Sequence, residues 1–256
     1  MNVGDDVRFA IGTLTRLPVP APVTLDAAVA GRGLALAPAV GACVALVSGW
    51  LLMVTGVDLI ARLLSATLVV AFAAWITRGL HWDGLADVAD GLGSGAPAAR
   101  ALEIMRRPDI GPFGVLTLGF TAAVQVLSVA QLPAGAPALA AWVLAVTLGR
   151  LAVVVACGPW GSPARADGLG AMVIGAVTPA QVVVASVLAA AVACVSALGG
   201  PLPWSVTLLW GPLVAVGVAV ALGGLARRRF GGSTGDVLGA TAELATAGVL
   251  LVLALR

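Results

Sequence analysis

Along most of this chain, apolar residues follow one another in long runs rather than recurring on one face of a helix or alternating as in a half-buried strand. A run near 20 residues is long enough to cross a bilayer as a helix. Seven such runs occur: Leu34 to Val57, Leu59 to Ile76, Phe113 to Leu132, Pro137 to Cys157, Pro179 to Leu198, Trp204 to Ala226 and Val237 to Leu255. The second carries Arg62 near its start, and the closely spaced first pair also admits a re-entrant hairpin. The piece from Val3 to Leu17 mixes apolar and charged positions before Pro18, Pro20 and Pro22. It reads either as an interfacial amphipathic helix or as a short lead-in. It does not read as a signal peptide, because Asp5 and Asp6 stand where the positive region should be.

The segments between the runs are unequal. Residues 133–136 and 199–203 are short turns, whereas 78–112, 158–178 and 227–236 are long or charged. Counting crossings from the N-terminus puts these three segments, with residues 1–33, on one face. That face carries eleven of the fourteen arginines: Arg8, Arg16, Arg32, Arg78, Arg100, Arg106, Arg107, Arg165, Arg227, Arg228 and Arg229. Arg62 and Arg256 fall opposite. The positive-inside rule makes the arginine-rich face cytoplasmic. Ten of the twelve acids lie there too, with Asp58 opposite and Glu243 inside a span. The expected fold is therefore all-α: a polytopic integral membrane helical bundle of about seven transmembrane helices. It forms one domain over residues 1–256, in contact with lipid, with its polar loops facing the cytosol.

Composition narrows the function. The chain is 60% hydrophobic and 10% charged, which excludes disorder and leaves too little polar surface for a soluble globule. A net charge of +2 gives no basic footprint for nucleic acid. Cys43, Cys157 and Cys194 lie in or beside apolar runs and read as small core residues rather than as disulfides or metal ligands. A transporter would place ionisable groups at mid-depth in several spans. Here Arg150 and Glu243 are the main ones, and they read as a structural ion pair. The pattern favours an enzyme working at one face.

Candidate chemistry is concentrated in Thr77-Arg-Gly-Leu-His-Trp-Asp-Gly-Leu-Ala-Asp-Val-Ala-Asp-Gly-Leu92. Asp83, Asp87 and Asp90 share one helical face at i, i+4 and i+7. Three carboxylates on one stripe repel unless a cation sits among them. Mg²⁺ is a fitting cation, because it typically takes one or two carboxylates plus phosphate oxygens. The implied substrate is a phosphate or diphosphate ester. The competing reading is a solvated acidic face. His81, the sole histidine, reads equally as a phosphate donor or proton carrier and as a hydrogen-bonded residue at the membrane interface. Glu103, Arg106 and Arg107 follow before Pro108. The arginines suit phosphate oxygens, though flanking charge for the next span would also explain them. The turn at Asp109 to Gly111 offers backbone N–H groups to an anion. In the third polar segment, Gly231, Gly232 and Gly235 allow a loop to approach a phosphate, with Asp236 opening the last span. This is not a Walker loop, because the Lys is missing.

Three segments together resemble cobalamin synthase, the adenosylcobinamide-GDP ribazoletransferase family. They are Arg78-Gly-Leu-His-Trp-Asp-Gly-Leu-Ala-Asp-Val-Ala-Asp-Gly91, Glu103-Ile-Met-Arg-Arg-Pro-Asp-Ile-Gly-Pro-Phe-Gly114 and Phe230-Gly-Gly-Ser-Thr-Gly-Asp-Val-Leu-Gly-Ala-Thr-Ala-Glu243. Thr15-Arg-Leu-Pro18, Pro38-Ala-Val-Gly41 and Gly168-Leu-Gly170 add to the likeness, which runs from about residue 7 to 252. Trp82, Pro108 and the basic run Arg227 to Arg229 depart from the family pattern. The resemblance implies a Mg²⁺-dependent transferase of the cytoplasmic membrane. Such an enzyme joins adenosylcobinamide-GDP to α-ribazole, or to α-ribazole 5′-phosphate, and releases GMP in late cobalamin (vitamin B12) assembly. On this basis Asp83, Asp87, Asp90 and Asp236 are the catalytic candidates. Asp83, Asp87, Asp90 and Glu103 are the metal candidates. His81, Arg106, Arg107, Asp109, Gly231, Gly232, Thr234 and Gly235 are the substrate-binding candidates. A second copy or other B12-assembly enzymes are candidate partners. Asp87-Val-Ala-Asp90-Gly91 also resembles the first half of the CDP-alcohol phosphotransferase motif, but the second half is absent. A lipid head-group transferase and a B12-precursor permease are the competing functions.

Overall fold

The computed structural model describes residues 3–198 and 206–255. The expected turn at 199–203, Trp204 and Arg256 lie outside the described residues, in whole or in part. Twelve α-helices are present among the described residues, with no named strand. Two short helices come first, α1 (Val3–Leu14) and α2 (Ala27–Ala35), followed by α3 (Ala37–Gly49) and α4 (Leu59–Ile76). The polar excursion holds α5 (Leu80–Gly93) and α6 (Ala98–Ile104). Then come α7 (Pro112–Gln131), α8 (Ala136–Ala156), the short α9 (Gly168–Val173), α10 (Pro179–Leu198), α11 (Gly211–Phe230) and α12 (Gly235–Ala254).

Six helices are long and apolar enough to cross a membrane, and the bent α2–α3 pair makes a seventh span if counted as one. That agrees with the all-helical, multi-pass fold expected from the sequence. Two of the predicted runs, Leu59 to Ile76 and Pro179 to Leu198, coincide with α4 and α10. The other boundaries differ by one to seven residues, and two of the shifts have a visible cause. The first run begins earlier, at Ala27, because Asp26 caps α2 by accepting the Val29 N–H at 2.8 Å and Arg32 pairs with Asp6 at 2.9 Å. It then bends by 46° between α2 and α3. The sixth ends later, at Phe230, because Arg227, Arg228 and Arg229 continue α11 instead of following it. Three cations in a last helical turn suit the negative end of the helix dipole.

Two helices form the centre. Of the spanning windows, 83% of α8 and 72% of α12 is buried, against 33% or less for the other four. Small residues allow the two to touch: a Cβ on Gly149 would meet the Ala242 carbonyl oxygen at 2.7 Å. Between them the Arg150 Nη1 and Glu243 Oε1 lie 3.5 Å apart, with both side chains buried. Gln125 Nε2 on α7 donates to the other Glu243 oxygen at 3.0 Å. The mid-depth pair is thus structural, and it ties three helices together. Removing one partner strands a buried charge, at a cost of about 3–5 kcal/mol. We expect Glu243→Ala to lower the unfolding midpoint in detergent sharply, and the double change Arg150→Met with Glu243→Met to recover most of the loss. If the double variant is no more stable than the single one, the charge argument is wrong.

The segment ends sort into two groups. At one end, Gly135 N–H donates to Leu52 O and Arg62 donates to Leu132 O. At the other, the three long polar segments meet, as described next. Their common end matches the face inferred from counting crossings.

Candidate active site

The chain leaves α4 through Arg78 and Gly79, both in the left-handed region with φ of 58° and 67°. Few side chains tolerate that conformation. Arg78 is held there by donating to Gly12 O at 2.7 Å, which ties this corner to α1. The reversal sends α5 across the N-terminal turns of α12. Two glycines make the crossing close. A Cβ on Gly84 would lie 2.7 Å from the Asp236 carbonyl oxygen, and one on Gly239 would lie 3.0 Å from the His81 carbonyl oxygen. Asp83 and Asp87 flank Gly84 in sequence, so this contact brings them to Asp236, far along the chain.

The three acids feel one another. The Asp87 carboxyl, half-buried, is pushed up to about 7, first by burial and then by the charges of Asp83, Asp236 and Asp90, with Arg165 opposing. Asp236 accepts from the Thr234 hydroxyl at 3.1 Å and lies 3.6 Å from Arg165 Nη1. Arg165 also donates to Leu102 O at 2.8 Å, joining the loop after α8 to α6. Arg106 Nη2 reaches both carboxylate oxygens of Asp167, at 2.6 and 2.9 Å. Both partners are largely exposed, so that pair contributes little stability.

Asp90 and Glu103 have other work. Asp90 is buried and accepts from the Gly111 and Gly114 N–H groups at 2.7 and 2.9 Å. It satisfies orphan donors at the start of α7, and each of its oxygens accepts one of them. Glu103 is exposed and pairs with Arg100 at 2.6 Å. Among the described residues, no three His, Cys, Asp or Glu side chains are placed to hold a metal together. The four-carboxylate ligand set expected from the sequence is therefore not assembled. Asp83 and Asp87 still fit a divalent cation that takes its remaining ligands from phosphate. The raised Asp87 carboxyl reflects burial first and then the surrounding acids, which Arg165 offsets only in part. We expect Asp90→Ala to cost about 1 kcal/mol of stability through the lost cap and to retain measurable turnover. A variant as inactive as one lacking Asp87 would return Asp90 to the reaction.

The glycine loop is also partly committed. Gly231, at φ 79°, ends α11. Gly232 packs so closely on residues 162–164 that its Cβ would meet Ala164 N at 2.7 Å. Ser233 N–H donates to Ser162 O, and Ala164 N–H to Ser233 O, both at 2.8 Å. Thr234 caps α12 through the Val237 N–H at 3.3 Å. Gly231 and Gly232 thus shape the loop, while Ser233, Thr234, Gly235 and Asp236 line a cavity of about 260 Å³. His81, Arg165 and Asp167 line it too. A larger cleft of about 690 Å³ is lined by Arg78, Asp87, Arg106, Arg107 and Asp109. The two adjoin at Leu80 and Asp83, which belong to both. His81 is buried, and burial holds its imidazole well below the ordinary histidine range, with Arg150 acting in the same direction.

The geometry brings together Asp83, Asp87, Asp236, His81, Arg106, Arg107, Asp109, Thr234 and Gly235. The sequence reading places Arg165, Arg78 and Asp167 among the charges of one face and assigns none of them a role at the site. Arg165-Ala-Asp167 ahead of Gly168 is a dense polar group in a chain poor in them, and that scarcity was the available signal.

The family model described as cobalamin-5-phosphate synthase matches residues 6–254. An adenosylcobinamide-GDP ribazoletransferase of Frankia casuarinae is 37% identical over 265 residues, covering 98% of this chain and 94% of the relative. One from a Nocardioides species is 40% identical over 255 residues, covering 98% and 99%. One from Citrobacter koseri is 37% identical over 243 residues, covering 94% and 95%. No solved structure matches. Matches of that extent, spanning every helix that builds the acid cluster, place this chain in the cobalamin-5-phosphate synthase family.

Proposed function

We propose that this chain joins adenosylcobinamide-GDP to α-ribazole, or to α-ribazole 5′-phosphate, and releases GMP. This is the transferase activity named for its relatives. The observation that supports it most is the meeting of Asp83, Asp87 and Asp236 at the junction of two cavities, one of them edged with arginine. A two-substrate transfer needs such a junction. The acceptor hydroxyl oxygen bonds to the cobinamide-linked phosphorus. The bond from that phosphorus to the bridging oxygen breaks, and GMP leaves with that oxygen.

Asp83 and Asp87 would hold Mg²⁺, which when bound supplies neutralisation of charge on the diphosphate. Arg78, Arg106 and Arg107 line the larger cleft and would fork onto phosphate oxygens. Asp236 lines the smaller cavity, within reach of the acceptor, and would take the hydroxyl proton. Holding both reactants in place supplies much of the rate. The arginine-rich end faces the cytosol in this reading, in a bacterial inner membrane, by the positive-inside rule. The test is direct. Purified protein in lipid is supplied with adenosylcobinamide-GDP, α-ribazole and Mg²⁺. GMP and a completed corrinoid should appear together, and a chelator should stop both. A folded preparation that makes neither overturns the reading.

A further inference from the structure

We propose that the smaller cavity binds the riboside acceptor, whose flat apolar base lies against its hydrocarbon wall and whose ribose meets His81 and Arg165. The diphosphate donor is left to the larger cleft. This assignment rests on the transferase reading above.

Size is the first argument. At about 260 Å³ the cavity falls below the roughly 300–1,000 Å³ of pockets for drug-sized ligands. It suits one small nucleoside and excludes a corrinoid. The second argument is its wall. Leu14, Leu34, Val153, Val173 and Leu238 come from α1, α2, α8, α9 and α12 and present hydrocarbon. A benzimidazole-type base has little polar edge to satisfy. Guanine carries several donors and acceptors, and such a wall would leave them unpaired.

The third argument is the polar atoms left over. Buried polar side-chain atoms normally have partners. Among the described residues, His81 Nδ1 and Arg165 Nε are buried and have none. Both residues line this one cavity, and His81 is only 4% exposed. A sugar hydroxyl would satisfy either. Asp236 lines the cavity, and Asp83 lines both the cavity and the larger cleft. A ribose held there presents its hydroxyl to the acid cluster, while Arg78, Arg106 and Arg107 line the larger cleft.

The experiment uses the full chain in lipid nanodiscs. Ala171 lines the cavity and is partly exposed. In Ala171→Cys, with Cys43 and Cys194 changed to Ser, α-ribazole should slow maleimide labelling by about tenfold when it occupies most of the cavity. GDP and cobinamide should not slow it. In Ala171→Phe, overfilling the cavity should raise the KM for α-ribazole by about tenfold or more and leave that for adenosylcobinamide-GDP nearly unchanged. Labelling slowed by GDP but not by α-ribazole overturns the assignment. So does a KM change confined to the corrinoid substrate, or labelling that neither ligand affects. If Ala171→Phe does not fold, the labelling result decides alone. Wild-type protein that releases no GMP refutes the reaction itself, whereas GMP release with the wrong protection pattern refutes only the placement of the riboside.

Discussion

Asp87→Asn should abolish turnover and yet stabilise the metal-free protein. The turnover loss follows from removing one of the two carboxylates proposed to hold a metal at the junction of the cavities. Losing a comparable electrostatic contact costs about 10²–10³-fold in other enzymes. The stability gain follows from the carboxyl pushed up to about 7 by burial and by the neighbouring acids. Because the folded-state value lies above the ordinary 3.8, protonated Asp87 favours the fold. That contribution is fully present below about pH 4 and is lost as pH rises through 7. Asn keeps the shape and never ionises, so the variant escapes the loss. Without metal, thermal midpoints should be closest at about pH 4 and lower, with the variant increasingly ahead as pH rises to 8. Mg²⁺ at pH 8 should raise the wild-type midpoint by mass action and leave the variant nearly unmoved. A variant with full turnover, or one less stable than wild type at pH 8 in chelator, would falsify this role.

That opposition of stability and activity explains which parts of the site could be read from the sequence. Apolar runs announce spans because lipid forces every backbone group to pair within its own helix, so α4 and α10 appear at full length in the pattern. The Arg150–Glu243 pair was legible because a lone acid inside a span needs a partner, and few were available. The i, i+4, i+7 stripe was read as one site. Spacing along α5 places Asp83, Asp87 and Asp90 on one face, but it does not say what that face meets. Its first two turns meet α12 and its last meets the start of α7, where Asp90 accepts two backbone N–H groups. The glycine loop shows the same limit. Its conformational freedom was visible, but the closeness of residues 162–164 was not. Long-range approach is tertiary information, and a one-dimensional pattern carries it only where a residue cannot be explained without it.

The same logic singles out Gly84. A glycine inside a helix costs about 1 kcal/mol relative to alanine, so its presence in the middle of α5 calls for a reason. The reason is the Asp236 backbone, whose Cα would lie 2.8 Å from any Cβ placed there. Gly84→Leu should therefore push α5 off α12 and carry Asp83 and Asp87 away from Asp236. None of these carboxylates is itself changed. A displacement of about 1 Å at a positioned group costs on the order of 10²-fold in rate, and leucine should cost at least that. The six separate spans keep their hydrogen bonds, so helical content should stay near wild type. Gly217→Leu on α11 is the control, because a Cβ there meets open space, and it should leave turnover unchanged. Gly84→Ala should fall between the two. Full turnover in Gly84→Leu would mean that the acids on α5 act without Asp236, and that the crossing of α5 over α12 serves only to pack the bundle.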